Sequence, residues 1–159
     1  MFFCFGPLLA AATALALGAP LASLAVSIPV VVSLAPATLT VGILHANNAR
    51  DIVTDRAAGT DTLAQWLGPS GCCNMYTTLL GLPYVLTAFS ACGMWGAQGA
   101  WGCRPTLYAL LTLPMCTDLY RAYQRGCLAE LPQQTAQFHA VFSGCLALSM
   151  LQTTTLARV

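Results

Sequence analysis

The chain has 159 residues, of which 57% are hydrophobic and 7% charged, with a net charge of +1. A soluble domain carries about 25% charged residues, so an ordinary soluble enzyme is excluded, as is a disordered chain, which needs polarity and charge. Six arginines and no lysine exclude a nucleic-acid partner, because neutralising phosphates takes many basic side chains.

Residues 1–49 carry no charge. Two apolar segments lie there, Met1–Gly18 and Leu21–Leu44, divided by the turn-forming Gly18-Ala19-Pro20. The first has the length of a signal-peptide core but lacks the basic residues that precede one, so it reads as a span. Arg50, Asp51, Asp55, Arg56 and Asp61 then form a polar stretch. Residues 62–103 are again uncharged and hold the third segment, Ser70–Ala91. Gly93, Gly96, Gly99 and Gly102 mark a connection flanked by Trp95 and Trp101. The fourth segment, Trp101–Thr117, has Pro105 near its start, and Asp118, Arg121, Arg125 and Glu130 follow as a second charged cluster. Thr135–Leu156 is the fifth. A spanning helix needs about 20 mostly apolar residues. The pattern therefore predicts an all-α, polytopic transmembrane helical bundle in one domain. Pro29, Pro36, Pro83 and Pro114 are compatible with such helices. Five spans put Arg50, Arg56, Arg121 and Arg125 on one side and Arg104 and Arg158 on the other. The positive-inside rule makes the four-arginine side cytoplasmic.

Asn47, Asp51 and Asp55 are spaced i, i+4, i+8, so one helix stacks them on one face. An ionised group at a bilayer centre costs about 2.5–3.5 kcal/mol. Such groups must line a polar cavity, pair with each other or sit at the water interface. Two carboxylates beside the carboxamides of Asn47 and Asn48 suit a hard cation. Mg²⁺ takes one or two carboxylates, keeps waters and shares phosphate oxygens. Arg50 and Arg56 can add bidentate contacts to the same phosphates. The spacing alone leaves this reading and a polar loop of locally paired Arg and Asp equally open.

From Asn47 to Ala64 the sequence spells NNxRDxxxDRxxGxxTLA. This resembles the second aspartate-rich motif of the UbiA superfamily of membrane prenyltransferases, and the NNxRD form resembles its menaquinone branch. Ile43-Leu44-His45, Leu67-Gly68-Pro69, Leu82-Pro83-Tyr84, Leu113-Pro114-Met115 and Leu131-Pro132-Gln133 carry the resemblance along nearly the whole chain. It implies a UbiA-like bundle with about five of the family's nine transmembrane helices. Residues 1–159 are then the C-terminal portion of a UbiA prenyltransferase domain.

The implied activity is Mg²⁺-dependent transfer of a prenyl group, geranylgeranyl, from its diphosphate to a naphthoquinol ring, in menaquinone (vitamin K2) biosynthesis. Carried over, Asp51, Asp55 and Asn47 hold the metal, with the two aspartates catalytic. Asn47, Asn48, Arg50, Arg56 and Arg121 hold the diphosphate. For a eukaryotic member the resemblance implies an endoplasmic reticulum or Golgi membrane, with the motif loop in the cytoplasm. The family's first NxxxD-type motif has no counterpart before residue 47, where no aspartate occurs. The expectation is accordingly a fragment inactive by itself. The alternative is a non-catalytic membrane protein that binds HMG-CoA reductase, as the resemblance to animal members implies. A UbiA-type enzyme with another aromatic acceptor is a further reading. A transporter needs a hydrophilic path, which the uncharged runs oppose.

No CxxC pair occurs among the eight cysteines, so a zinc site is not indicated, and free Cys in apolar segments packs as a small hydrophobe. His45 either shapes the acceptor pocket or packs through a hydrogen bond, and His139 reads as structural. Tyr76, Tyr84, Phe89, Tyr108, Tyr120 and Tyr123 either line a channel or pack. Asp118, Arg121 and Arg125 share a helix face that either reaches diphosphate or is solvated.

Overall fold

The computed structural model describes residues 2–18, 20, 32–91 and 104–156. Pro29, Cys92, Trp95, Trp101, Cys103, Arg158 and the glycine-rich connection lie outside the described residues. Within them every regular element is helical and no strand occurs. A π-helical turn, Cys4–Leu8, runs into α1 (Leu9–Ala16). The rest are α2 (Leu34–Arg50), α3 (Ile52–Ala57), α4 (Leu63–Ala91), α5 (Arg104–Leu110), α6 (Leu113–Gln124) and α7 (Leu131–Leu156).

The boundaries have local causes. Pro7 sits inside the π turn. It has no N–H to place in an α-helical ladder, and the wider turn absorbs that loss. Gly68 interrupts α4 at φ 67°, ψ 177°, a conformation reached essentially by glycine alone. Pro69 then restarts the helix, so α4 consists of pieces 63–67 and 69–91. Leu131-Pro132 likewise opens a helix, α7. The fourth apolar segment, expected as one helix, is two. Leu111 and Thr112 donate their N–H groups three residues back, to Tyr108 at 3.2 Å and Ala109 at 3.0 Å. This tightening separates α5 from α6, and Pro114 sits in the first turn of α6.

α2 packs chiefly on α4 and next on α7. The core joins Ala35, Leu39 and Ala46 of α2 to Tyr76 and Leu80 of α4 and Phe138, Phe142 and Leu146 of α7. Small residues on α2 let its neighbours approach. A Cβ added to Gly6 would lie 2.5 Å from the Cβ of Ala37, which shows how closely the π turn abuts α2. Buried and half-buried polar contacts tie the helices. His45 Nε2 donates to the Cys72 carbonyl at 3.0 Å. Tyr76 Oη meets Thr135 Oγ1 at 2.7 Å, and Tyr84 Oη meets Thr112 Oγ1 at 2.8 Å. His45 is thus a hydrogen-bonded packing histidine.

Ser70–Ala91 lies within α4 and Thr135–Leu156 within α7. Among the described residues, no helix is long and apolar enough to cross a membrane. α4 carries Gln65, Ser70 and Asn74 in its first half, and the sequence of α7 is polar at both ends, with Gln133, Gln134 and Gln137 at one and Gln152 and Thr153 at the other.

Candidate functional site: the aspartate motif and the pocket beside it

Asp51 is where the expected continuous helix gives way. α2 ends at Arg50, Asp51 takes φ −97°, ψ 10°, and α3 begins at Ile52. Asn47, Asp51 and Asp55 therefore do not share the face of one unbroken helix. Asp51 nonetheless keeps one backbone hydrogen bond to each side of the bend. Asp51 N–H donates to the Asn47 carbonyl at 3.0 Å, and Asp55 N–H to the Asp51 carbonyl at 2.9 Å. Thr54 Oγ1 also donates to the Asp51 carbonyl, at 2.9 Å. Asp51 is the residue before α3 yet makes no side-chain cap, because its carboxylate is engaged elsewhere.

That engagement is with Arg50. Arg50 Nε donates to Oδ1 and Nη2 to Oδ2, each at 2.7 Å. This is the fork geometry that matches guanidinium to carboxylate or phosphate. The hydrogen bonds hold the Asp51 carboxyl below the usual carboxylate range and raise the Arg50 guanidinium. The pair is open to water, so its strength is screened. Asp55, one ladder step on, is half-buried, and its carboxylate makes no ion pair among the described residues. Arg56 is exposed. Asn47 Nδ2 donates back to the Ile43 carbonyl at 3.2 Å, which leaves its Oδ1 to act as an acceptor. Asn48 is half-buried beside it. Arg121 stands apart on α6, 3.6 Å from Asp118. The structure therefore brings Asn47, Asn48, Arg50, Asp51, Asp55 and Arg56 together and leaves Arg121 with its own partner.

The donor chemistry of this stretch fits a Mg²⁺ ion in kind: two carboxylates one turn apart, with a carboxamide oxygen near them. Among the described residues no group of three or more His, Cys, Asp or Glu converges to hold a metal. Waters and phosphate oxygens must supply the other ligands, and Arg50 must release Asp51.

A pocket of about 420 Å³ lies against the bend. Ala49 and Ile52, which bracket Arg50 and Asp51, form one wall; Pro69, Cys72 and Cys73 of α4 another; Tyr123 and Gln124 of α6 a third. Tyr123 stacks on the buried Tyr76 with ring centroids 5.0 Å apart. Of the aromatic residues weighed as channel liners, Tyr123 alone lines this pocket. Its other walls escaped sequence reading, since alanine, isoleucine and cysteine carry no pattern that marks a pocket.

No protein-family model matches the chain. Related proteins do. The chain is 38% identical over 136 residues to UbiA prenyltransferase domain-containing protein 1 of Homo sapiens, a match covering 85% of the chain and 36% of that protein. The protein of the same name from Danio rerio is 37% identical over 112 residues, covering 70% of the chain and 31% of the relative. The one from Dictyostelium discoideum is 28% identical over 157 residues, or 95% of the chain and 42% of the relative. The chain thus spans about a third of the length of the animal proteins it matches. On this likeness, and on a motif placed at a helix bend with its acids and arginines assembled, the chain belongs to the UbiA superfamily.

Proposed function

We propose that this chain supplies the carboxylate motif of a Mg²⁺-dependent prenyltransferase site. The donor is an isoprenyl diphosphate, geranylgeranyl in the menaquinone branch, and the acceptor a naphthoquinol ring. One observation carries the reading: at the bend, Arg50 already grips an oxyanion through both arms of its fork, with a second carboxylate one turn away. A diphosphate can take the place of the carboxylate on Arg50. This exchange frees Asp51 to join Asp55 and the Asn47 Oδ1 around a cation. Bound Mg²⁺ supplies the positive charge that stabilises a departing diphosphate. Arg50 and Arg56 neutralise diphosphate oxygens. The family setting adds a polytopic membrane bundle, in an endoplasmic reticulum or Golgi membrane for a eukaryotic chain, with this bend facing the cytoplasm.

Equilibrium binding of geranylgeranyl diphosphate to the purified chain in detergent tests this, with Mg²⁺ or with a chelator. Binding is expected to require Mg²⁺ and to be lost in Asp51→Asn and Asp55→Asn, while geranylgeraniol binding is indifferent to both. Diphosphate binding that ignores Mg²⁺ and survives both substitutions overturns the proposal. A second reading is favoured by the Arg50–Asp51 pair itself, which satisfies both partners without a ligand. On that reading the chain is a non-catalytic membrane protein that binds HMG-CoA reductase. Reductase capture unaffected by Asp51→Asn, with no diphosphate binding, would select it.

A further inference from the structure

The pocket of about 420 Å³ beside the bend holds chemistry that the aspartate motif does not use. No charged side chain lines it, and Ala49, Ile52 and Leu128 give it apolar walls, which suit a neutral, largely apolar occupant. Tyr123 adds an aromatic wall, its ring steadied by the stack on Tyr76 at 5.0 Å. Two thiols line the pocket as well, and they are not equivalent. Cys72 is buried, and its thiol donates to the Ala64 carbonyl at 3.2 Å. Cys73 is half-buried, and among the described residues no acceptor takes its proton. What reaches its sulfur is a donor. Gln124 Nε2 points at Cys73 Sγ from 3.9 Å and is itself held by the Tyr120 hydroxyl at 2.7 Å. An N–H so aimed steadies the negative charge that builds on sulfur as the thiol proton leaves.

We infer that this pocket captures the oxidised form of the acceptor, a naphthoquinone, as a covalent adduct of Cys73. Sulfur is a soft nucleophile and calls for a soft carbon electrophile. The uncharged walls call for a neutral one, and the Tyr123 ring for a flat one. A quinone ring meets all three demands, and its naphthalene skeleton rests on the prenyltransferase reading above. In the step, Cys73 Sγ bonds to an unsubstituted carbon of the quinone double bond. The electron pair of that double bond moves onto the conjugated carbonyl oxygen, which takes the thiol proton. The hydrogen on the attacked carbon then passes to the second carbonyl oxygen as the ring becomes aromatic. One S–H and one C–H bond break, one S–C and two O–H bonds form, and the quinone is reduced to a hydroquinone thioether with no other reductant. The reduced acceptor offers no such double bond and does not react. The adduct lies against Ala49 and Ile52, which bracket Arg50 and Asp51, so an oxidised acceptor blocks the site from which a reduced one departs.

In the test, the full chain in detergent is treated with 1,4-naphthoquinone, with its hydroquinone under argon, or with N-ethylmaleimide. Peptide mass spectrometry follows the adduct on each cysteine with time. Exposure alone favours Cys4 and Cys127 over Cys73, and maleimide is expected to keep that order. Naphthoquinone is expected to invert it, labelling Cys73 first at a rate that saturates with quinone concentration, while the hydroquinone labels nothing. Tyr123→Leu is expected to slow the Cys73 reaction about tenfold, the scale of one lost ring contact. Tyr123→Phe keeps the ring and is expected to keep the rate. A misfolded variant is recognised by maleimide reaching the buried Cys72. Naphthoquinone that labels Cys127 before Cys73, or a Cys73 rate that neither saturates nor responds to Tyr123→Leu in a folded variant, overturns the inference. Mg²⁺-dependent binding of geranylgeranyl diphosphate is measured on the same preparation. Its absence, with Cys73 still first to react, counts against the prenyltransferase reading alone.

Discussion

Arg50 and Asp51 are sequence neighbours that satisfy each other at the point where α2 stops. Asp51 carries a folded-state pKa below its ordinary value. The pair's contribution to stability is therefore complete above the ordinary carboxylate range, about pH 4, and is lost as pH falls through the lowered value. The Asp51 carboxyl carbon, followed by NMR, is expected to titrate below the ordinary carboxylate range and to move into it in Arg50→Ala. Between pH 6 and 8 the pair is expected to show no change. Deeper in the chain, Tyr76→Phe removes a hydroxyl bonded to Thr135. Thr135 keeps its bond to the Leu131 carbonyl at 2.7 Å, so no orphan is left. A loss of about 1 kcal/mol is expected in thermal unfolding. At this scale the motif was legible because its chemistry is written in adjacent letters. The pocket beside it was not, because Ala49, Cys73 and Tyr123 meet only when three helices pack.

Glycine and proline set the breaks between elements, and two glycines can be tested against each other. Gly68→Ala forces a side chain into a backbone conformation that costs about 1–3 kcal/mol, although nothing stands within 4 Å of the added Cβ. Gly6→Ala meets no backbone strain but drives a Cβ against Ala37, and overpacking costs about 1–3 kcal/mol. Both are expected to lower the unfolding midpoint, measured by circular dichroism in detergent. Enlarging the relief space with Ala37→Gly should rescue Gly6→Ala alone. The steps at Gly68-Pro69 and Leu131-Pro132 were legible for the same stereochemical reason. The bend at Asp51 was not, since Asn47, Asp51 and Asp55 keep a perfect helical spacing through it. The division of α5 from α6 was likewise hidden in an apolar run, with Pro114 its sole punctuation.

For the molecule as a whole, two carboxylates within one motif are expected to bind a diphosphate weakly and to turn over none. Incubated with geranylgeranyl diphosphate, a naphthoquinol and Mg²⁺, the purified chain is expected to give no prenylated product by mass spectrometry. Product formation abolished by Asp55→Asn would refute this. The all-helical class was legible from composition and the length of the uncharged runs. How those helices sit with respect to a bilayer was less so, because polar residues along α4 and at both ends of α7 dilute the apolar runs. The bend at Asp51 gives the motif a mechanical property. Asp51 bonds through its N–H to Asn47 and through its carbonyl to Asp55, yet the rungs that would tie Ile52, Val53 and Thr54 back to Asn48, Ala49 and Arg50 are missing. α3 therefore hangs from α2 like a leaf on a single pin, with the Thr54 hydroxyl on the Asp51 carbonyl as a brace across it.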